Sequence, residues 1–279
     1  GKKDPEQVAD AIIHHADVRR MLLTQKAIAE GGRAMIYHAA QLADKMTDAL
    51  TQGDQAKFEE YDDKLGFYTP ILKGFLTELG LEAANHGMQV FGGHGYIKEH
   101  GMEQIARDAR IATLYEGTTG VQALDLIGRK VLLSSKGKVV RDYTAEILRF
   151  CGRHAPNKYM RRFAWDLTTI CAQWNALPVR LMLAARKDRD IVSSASVDFL
   201  MFSGYAMMAY YWAQQAAVAS EKLESGNGAE TPEFYKAKIK IADFYFERIL
   251  PRTQGHAEAM VNPSKTMMSL APEHFSFDY

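Results

Sequence analysis

One glutamate, Glu116, lies in the segment Tyr-Glu-Gly-Thr at residues 115–118, immediately before an apolar helical pattern. A carboxylate in this place has two interpretations. The helix dipole favours negative charge at the start of a helix, and Thr118 or Thr119 suits the role of helix cap. Alternatively, the carboxylate acts as a general base that removes a proton from a substrate. The local sequence leaves both interpretations open.

A glycine-rich segment, Phe-Gly-Gly-His-Gly-Tyr at residues 91–96, is a second candidate functional segment, in this case for binding an anion. Glycines allow peptide N–H groups to approach an anion such as a phosphate closely. A lone segment of this kind is more often a simple turn. It also follows no predicted strand, which argues against a dinucleotide-binding fold built on a parallel sheet.

Three histidines, His86, His94 and His100, surround the glycine-rich segment at spacings of eight and six residues. These spacings do not place them on one helix face, and no cysteine accompanies them. We therefore predict no metal site and interpret them as surface or capping histidines.

Arg107, Asp108 and Arg110 form the segment Arg-Asp-Ala-Arg shortly before Glu116. An ion pair among them would fix a helix next to the loop that carries Glu116. The alternative is a solvated charged face, where such a pair contributes little. We favour the ion pair.

The composition argues against several classes of protein. Of the 279 residues, 47% are hydrophobic and 24% charged, as in a soluble globular protein. Basic and acidic residues both number 34, so no global field attracts nucleic acid or an anionic membrane. The stretch from Lys136 to Arg162 has eight basic and two acidic residues, which suits phosphate contacts. The near balance of charge from residue 141 onward nevertheless argues against a DNA-binding half.

Targeting signals and cysteine usage suggest where the protein resides. No apolar run approaches the roughly 20 residues that span a bilayer, and the first residues resemble neither a signal peptide nor a transit peptide. Cys151 and Cys171 fit helical core thiols in a reducing compartment. We expect the cytoplasm of a bacterium rather than a mitochondrial matrix. Because the sequence starts without methionine, within an apparent loop, we expect a fragment of a longer protein.

Helical periodicity covers almost the whole sequence, and no β-branched run alternates as a strand would. The predicted fold class is all-α, with two helical bundles in series. The polar segment Ser-Ser-Lys-Gly-Lys at residues 134–138 is the best internal boundary. We therefore predict one bundle over residues 1–135 and a second, C-terminal one over residues 136–279.

The first bundle is expected to begin with a long helix, whose apolar face contains Val18, Met21, Leu22, Ile28, Met35, Ile36, Leu42 and Met46. Gly31 and Gly32 interrupt this helix at roughly 1 kcal/mol each relative to alanine, and close approach of a neighbouring helix would compensate. A second helix is expected from about Pro70, since proline suits a helix start, to about Asn85. A shorter helix is expected within residues 102–115.

The second bundle is expected to contain four helices, at about residues 139–151, 158–187, 190–224 and 232–250. Pro178 is expected to kink or break the second of these. Trp165, Trp174 and Trp212 are expected to fill the core.

Considered together, the segments QVFGGHGYIKE, RDAR and YEGTTGVQALDLIGRK resemble the acyl-CoA dehydrogenase family. In that family a Gln-x-x-Gly-Gly-x-Gly-Tyr loop precedes Arg-Asp-x-Arg and then Tyr-Glu-Gly-Thr. The resemblance extends upstream through HHADVRRMLLTQKAIAEGGRAMIYHAA and covers roughly residues 5–133. The segment EGTTGVQALDLIGRK is most similar to the 3-methylmercaptopropionyl-CoA dehydrogenase-like subgroup, which has a long helical C-terminal extension that would correspond to the second bundle. Some members of this subgroup act on 3-methylmercaptopropionyl-CoA and others on longer acyl-CoAs.

The resemblance implies that Glu116 removes the α-proton of an acyl-CoA thioester while a hydride passes from the β-carbon to N5 of FAD. The backbone N–H of Glu116 would also hold the thioester oxygen. Tyr115 and Gly117 would line the substrate site, with Gly117 leaving room for the acyl chain.

The resemblance also implies two segments that contact FAD. The first would reach the adenosine diphosphate part of a flavin held mainly by the neighbouring subunit, and consists of Gln89, Val90, Phe91, Gly92 and Gly93. The second follows the glutamate and consists of Thr118, Thr119, Gly120 and Val121. Many relatives carry glutamine where this chain has Gly120, which removes a side-chain contact. A further contact is implied at His15, although Ala16 replaces a common glutamine beside it.

The family's first helical domain, its β-domain and the helix that begins its C-terminal bundle match nothing in this sequence. We therefore expect the full protein to be a flavoenzyme, and this chain alone neither to hold FAD tightly nor to turn over. The implied partners are an acyl-CoA substrate, electron transfer flavoprotein and further copies of the chain in a homo-oligomer, with no nucleic acid and no membrane. The alternatives are an acyl-CoA oxidase, a structural helical module for oligomerisation or docking, and a nucleic-acid-binding relative without dehydrogenase activity.

Overall fold

The computed structural model describes residue 3 and residues 5–276, so the outermost residues of both predicted bundles lie outside the described part. Within that part the chain forms helices and turns and no β-strand, which confirms the all-α prediction. No described helix is long and apolar enough to span a bilayer.

The α-helices, in chain order, are α1 (Ala16–Thr51), α2 (Gln55–Val90), α3 (Gly93–Tyr96), α4 (Met102–Ile111), α5 (Thr119–Leu124), α6 (Lys138–His154), α7 (Arg161–Ala184), α8 (Ile191–Ser194), α9 (Ser196–Ser225), α10 (Pro232–Phe244), α11 (Arg252–Met260) and α12 (Lys265–Met268). Short 3-10 helices cover Ile12–His14, Lys98–His100 and Pro272–Phe275. Two π-helical segments, Asp125–Ser134 and Tyr245–Ile249, continue α5 and α10.

Helix α1 follows the predicted apolar periodicity, with one exception. The buried members of the face are Met21, Ile28, Met35 and Leu42, the half-buried ones are Val18, Leu22 and Met46, and Ile36 is exposed. Gly31 and Gly32 lie within the helix rather than ending it. A Cβ at Gly31 would lie 2.7 Å from Trp212 Nε1 of α9, and one at Gly32 would lie 3.2 Å from Leu76 Cδ2 of α2. The predicted close approach of neighbouring helices is confirmed.

Helix α2 begins fifteen residues before Pro70, so the prediction of a helix start at Pro70 is wrong. The Asp54 side chain caps the helix by accepting a hydrogen bond from the Lys57 backbone N–H at 3.1 Å. Pro70 itself is buried inside the helix, between the buried residues Phe67 and Ile71. Burial of this face offsets the cost of about 3 kcal/mol that a proline imposes on a helix interior.

Helix α7 tests two further predictions. It continues through Pro178, so of the expected kink or break the break does not occur, and the kink stays a prediction. Trp174 is fully buried, as is Trp212 of α9, but Trp165 is 72% exposed. Trp165 and Trp174 are nine residues apart, which places them on opposite faces of a helix with 3.6 residues per turn. The prediction that Trp165 fills the core is wrong for this reason.

Helix α9 joins the two halves of the chain. It is buried over most of its circumference and packs against α1, α2 and α5 as well as α7, α10 and α11. The predicted boundary at residues 134–138 coincides with the turn before α6. The division into bundles of residues 1–135 and 136–279 stays a prediction, with one hydrophobic core running across it.

The two cysteines are free and buried in this core, as expected. Burial raises the pKa of the Cys171 thiol to about 12 and also raises the pKa of the Cys151 thiol.

Candidate active site

Glu116 lies in the turn between α4 and α5, where its side chain is exposed. Its φ of 55° and the φ of 91° at Gly117 place both residues in the left-handed region. A side chain other than glycine rarely adopts this conformation, and such positions cluster at functional sites. The backbone therefore presents Glu116 in a conformation that its surroundings must maintain.

The cap of α5 is Thr118, whose Oγ1 accepts a hydrogen bond from the Val121 backbone N–H at 3.4 Å. This confirms the expectation of a threonine cap. Glu116 lies two residues before that cap and outside the first turn of the helix. The helix dipole therefore does not explain Glu116 as a first-turn residue.

Lys73 of α2 holds the turn from beneath. Its Nζ donates hydrogen bonds to the carbonyl oxygens of Gly117, at 2.7 Å, and Ala112, at 2.9 Å. The same ammonium group lies 5.7 Å from the centre of the Tyr115 ring, within the range of a cation–π interaction. One half-buried cation thus fixes both ends of the segment that contains Glu116.

Two further side chains complete the support. Gln122 Nε2 donates to the Glu116 carbonyl oxygen at 3.1 Å, and it would lie 2.7 Å from any Cβ at position 117, which explains the glycine there. Thr119 Oγ1 donates to Glu78 Oε1 of α2 at 2.5 Å.

Sequence reasoning missed Lys73, Glu78 and Gln122 as members of the site. The available signal was weak: Lys73 and Glu78 are two charged residues within the otherwise apolar stretch ILKGFLTELG. A charged residue surrounded by apolar ones on a packed helix needs a partner, although the sequence does not say which.

The turn also leaves peptide donors free. Within the described chain, the backbone N–H groups of Glu116 and Gly117 donate to no other group, and neither do those of Thr119 and Gly120. Converging peptide N–H groups are suited to an oxyanion or a phosphate oxygen. The site therefore combines one exposed carboxylate with uncommitted hydrogen-bond donors.

The glycine-rich segment begins where α2 ends. Gln89 and Val90 are the last residues of α2, and Phe91 follows with 51% of its surface exposed. Gly92 has a φ of 60°, in the left-handed region. A Cβ at Gly95 would overlap the Met88 carbonyl oxygen, so a glycine is needed for the chain to pack back on the helix.

This segment offers uncovered backbone as well. A Cβ at Gly93 would meet nothing within 4 Å, and in the described chain the N–H groups of Gly93 and His94 donate to no other group. These residues fit the phosphate part of a dinucleotide such as FAD. They do not enclose a flavin ring.

The two segments implied to contact FAD share one face of α2 but do not touch. Glu78, which binds Thr119, and Gln89 are eleven residues apart on this helix. Eleven residues correspond to slightly more than three full turns and a separation of about 16 Å along the helix axis. The fold thus aligns the segments along one helix without merging them into one pocket.

The ion pair predicted within residues 107–110 is not present. Asp108 Oδ1 instead accepts a hydrogen bond from Gln104 Nε2 at 2.7 Å. Arg110 donates to the hydroxyl of the buried Thr113. Side chains one or two residues apart on a helix do not face each other, which explains the missing pair. The end of α4 is braced by the Arg110–Thr113 hydrogen bond.

The histidines form no cluster of ligands. The rings of His94 and His100 lie 5.3 Å apart in an edge-to-face arrangement, and His86 Nε2 lies 3.5 Å from Glu82. Among the described residues, no group of three or more His, Cys, Asp or Glu side chains is placed to hold a metal ion. His15 is exposed at the start of α1.

Comparison with known families gives two matches. Residues 3–132 match the family "Acyl-CoA dehydrogenase, C-terminal domain", and residues 143–271 match "Acetyl-CoA dehydrogenase C-terminal like".

Individual relatives belong to the same family as these two matches. The sequence is 37% identical to 3-methylmercaptopropionyl-CoA dehydrogenase of Ruegeria pomeroyi, over 94% of this chain and 44% of the relative. It is 32% identical to the broad-specificity linear acyl-CoA dehydrogenase FadE5 of Mycobacterium tuberculosis, over 93% of this chain and 43% of the relative.

Among solved structures, an acyl-CoA dehydrogenase complexed with FAD from Bacillus anthracis has the same fold, with a TM-score of 0.68 at 15% identity. The similarity covers 91% of this chain and 43% of that one. The chain therefore spans less than half the length of the relatives it matches. With both halves matched to C-terminal domains of one family, the chain belongs to the acyl-CoA dehydrogenase family and corresponds to the C-terminal portion of its members.

Proposed function

We propose that this chain is the C-terminal part of a FAD-dependent acyl-CoA dehydrogenase, in which Glu116 is the base that removes the α-proton of an acyl-CoA thioester. The observation that carries the proposal is the exposed Glu116, held in a left-handed turn beside uncommitted peptide N–H groups. Membership of the family supports the assignment. The activity proposed is that of a protein with the full length of the relatives.

The chain's own residues would act in one concerted arrangement. The Glu116 carboxylate accepts the α-proton, and the electron pair of the broken C–H bond moves towards the thioester carbonyl. The backbone N–H groups of Glu116 and Gly117 donate to that carbonyl oxygen as its negative charge develops. Lys73 keeps the turn in place through its two carbonyl contacts. FAD, when bound, supplies the acceptor for the hydride that leaves the β-carbon, so that a Cα=Cβ double bond forms.

FAD would be contacted by the two segments described above, residues 89–93 and 118–121. Their exposed backbone and free N–H groups fit phosphate and other polar atoms of the cofactor. We further propose that the rest of the flavin site lies in the regions that the relatives possess and this chain does not match. On this basis the isolated chain neither holds FAD tightly nor turns over.

Partners follow from the family resemblance. The proposed substrate is an acyl-CoA, the proposed electron acceptor is electron transfer flavoprotein, and the proposed assembly is a homo-oligomer whose subunits complete one another's flavin sites. A bacterial cytoplasm is the proposed location, because the relatives compared above are bacterial.

The decisive test is Glu116→Gln in a protein of the relatives' length. The variant should retain the yellow flavin, while the rate of flavin reduction by acyl-CoA falls by about 10²–10⁴-fold, as expected for loss of a general base. Glu99→Gln is the matched control, since Glu99 is an exposed carboxylate in the 3-10 helix Lys98–His100 and should leave the rate unchanged. Undiminished reduction in the Glu116 variant would remove Glu116 as the base.

The electron acceptor needs a separate measurement. Peroxide production during turnover in air would identify an acyl-CoA oxidase. Efficient turnover with electron transfer flavoprotein and little peroxide would support the dehydrogenase.

A further inference from the structure

A cleft of about 450 Å³ lies between α1, α9 and α10. It shares no residue with the Glu116 turn or with the two segments proposed to contact FAD. Its volume is within the range of about 300–1,000 Å³ that is typical of small-molecule sites. Ala34 and Gln41, which line it from α1, are seven residues apart, or about 10 Å along the helix axis. The cleft is therefore long enough for one fused ring system with a substituent.

Aromatic side chains from all three helices line this cleft, namely Tyr37 and His38 of α1, Tyr211 of α9, and Phe234 and Tyr235 of α10. Tyr37 is 67% exposed and Phe234 43% exposed. The Lys238 ammonium group lies 5.4 Å from the centre of the Phe234 ring, which helps to hold that ring. Exposed rings beside a cleft are suited to stacking against a flat ligand.

The cleft presents no free charge. Among the residues that line it, Lys238 is the one with a permanent charge. Its Nζ donates to Glu30 Oε2 at 2.7 Å and to Gln215 Oε1 at 3.3 Å. Because this ammonium group is already committed to two partners within the protein, the cleft does not favour a phosphate or a carboxylate. An uncharged ligand fits it better.

Two hydrogen-bonding side chains in the cleft remain uncommitted. Burial lowers the pKa of His38 below its ordinary value of 6.5, so near pH 7 the imidazole is neutral, with one N–H donor and one acceptor nitrogen. In the described chain it contacts only the rings of Tyr68 and Tyr211. Gln215 Nε2 is buried and donates to no other group of the described chain. A buried amide donor without an acceptor costs free energy, and a ligand atom in the cleft would supply that acceptor.

These features together point to one class of ligand. Glutamine amides pair with the donor and acceptor edge of adenine, and aromatic side chains stack on the faces of bases. Gln41 and Gln214 add further amide groups to the lining. We propose that the cleft binds an uncharged purine-type nitrogen heterocycle, such as the base of a nucleoside, stacked against Phe234 with its edge on His38 and Gln215. The proposal goes beyond the proposed dehydrogenase function and does not rest on it.

The test is isothermal titration calorimetry with adenosine as the probe, on a protein of the relatives' length loaded with FAD. The dissociation constant should be about 100 µM, from the usual affinity per non-hydrogen atom of small ligands. Ribose, which lacks the ring, should not bind. Indole, a fused ring with one donor and no ring acceptor, should bind at least about fivefold more weakly than adenosine.

Two outcomes with these ligands would overturn the proposal. The first is no binding of adenosine up to about 5 mM, which is also the result expected if another part of the full-length protein fills the cleft. The second is indole that binds as tightly as adenosine, because the cleft would then select apolar surface rather than a nitrogen heterocycle.

Two variants locate the bound ring. Phe234→Ala should raise the dissociation constant for adenosine at least about tenfold through loss of stacking. The matched control is Phe275→Ala, since Phe275 is an exposed phenylalanine in the 3-10 helix Pro272–Phe275. Gln215→Leu should raise the constant about fivefold through loss of a hydrogen bond, with the half-buried Gln173 of α7 changed to Leu as its control. Circular dichroism should show the same helix content in all four variants.

Adenosine binding that neither Phe234→Ala nor Gln215→Leu weakens would place the ligand elsewhere and overturn the proposal. Adenine is also part of FAD and of acyl-CoA, so the same variants are compared for flavin content and for KM of acyl-CoA. Both should be unchanged in Gln215→Leu. A KM that rises in parallel with the dissociation constant for adenosine would assign the cleft to the acyl-CoA substrate and overturn a separate site.

Discussion

Two regions of this molecule, the middle of α9 and the Glu116 turn, are held in place by opposite means. Along α9, residues such as Phe202 and Trp212 are fully buried and contact neighbouring helices on several sides. The Glu116 turn is exposed and left-handed, and hydrogen bonds from Lys73 and Gln122 hold it.

The difference shows why a turn between helices, rather than the helical core, can offer free backbone groups to a ligand. Inside α9 every peptide group belongs to the helix, and an uncommitted buried N–H would cost free energy. In the turn, backbone N–H groups that are open to solvent can form hydrogen bonds with water instead of with the protein. The N–H groups of Glu116 and Gly117 therefore remain free for a ligand. Dense packing supplies the rigid base, and a few polar contacts supply the orientation of the site.

The largest effect is expected where α9 meets α2. A Cβ at Gly204 would overlap the ring of Phe75, so Gly204→Ala should force the two helices apart. We expect the free energy of unfolding to fall by about 3 kcal/mol, as in overpacked cores. Chemical denaturation followed by circular dichroism measures this change.

Gly255→Ala is the matched control for this variant. Gly255 lies in α11, where a new Cβ would meet nothing within 4 Å. This substitution should stabilise the chain by up to about 1 kcal/mol through helix propensity. Equal effects of the two substitutions would contradict the role assigned to the α9–α2 contact.

A smaller and local effect is expected at the turn. Lys73→Met removes the hydrogen bonds to Ala112 and Gly117, and charged hydrogen bonds of this kind contribute about 2 kcal/mol. Amide hydrogen exchange should therefore accelerate by roughly 30-fold at Thr113 and Leu114. Exchange within α9 should not change, because its packing is untouched.

Lys64→Met provides the control on the same helix. Lys64 makes an exposed ion pair with Glu60, one turn away, and its loss should have little effect. If Lys73→Met left exchange at Thr113 and Leu114 unaltered, Lys73 would not hold the turn.

The smallest effect is expected at a polar contact between α2 and α11. Arg252 donates two hydrogen bonds to the Glu82 carboxylate, both at 2.8 Å. Burial by itself raises the pKa of Glu82, but the contacts with Arg252 outweigh it and leave the pKa below its ordinary value of 4.5. The folded state thus favours the ionised carboxylate. Its contribution is complete above pH 4.5 and disappears as the pH falls through the lowered folded-state pKa.

Glu82→Gln should therefore lower the free energy of unfolding by about 1 kcal/mol at pH 7. The difference from the unaltered chain should shrink towards zero as the pH falls below 4.5 and through the lowered folded-state pKa. Urea denaturation across this range measures it, with Glu60→Gln as the exposed control. A difference independent of pH would show that the charge of Glu82 is not responsible.

Local sequence patterns predicted much of this fold. The apolar spacing of α1 and the threonine cap of α5 both depend on residues within one or two turns of each other. A prediction failed where distant packing outweighed a local preference, as at Pro70, which lies at a buried position inside α2. The ion pair expected near Asp108 failed because the helix geometry directs these side chains apart.

The candidate site also contains residues that the sequence identified and residues that only the tertiary structure identified. The ordered glycine, Arg-Asp-x-Arg and Tyr-Glu-Gly-Thr segments were sufficient to recognise the family and to select Glu116 as a candidate, because these segments are short and follow one another closely in the chain. Lys73, Glu78 and Gln122 have no such signature. Lys73 and the Gly117 carbonyl it contacts are 44 residues apart, and only the packing of α2 beneath the turn brings them together. Residue types and short spacings thus selected the candidate site, whereas long-range contacts between helices determined which side chains hold the Glu116 turn in place.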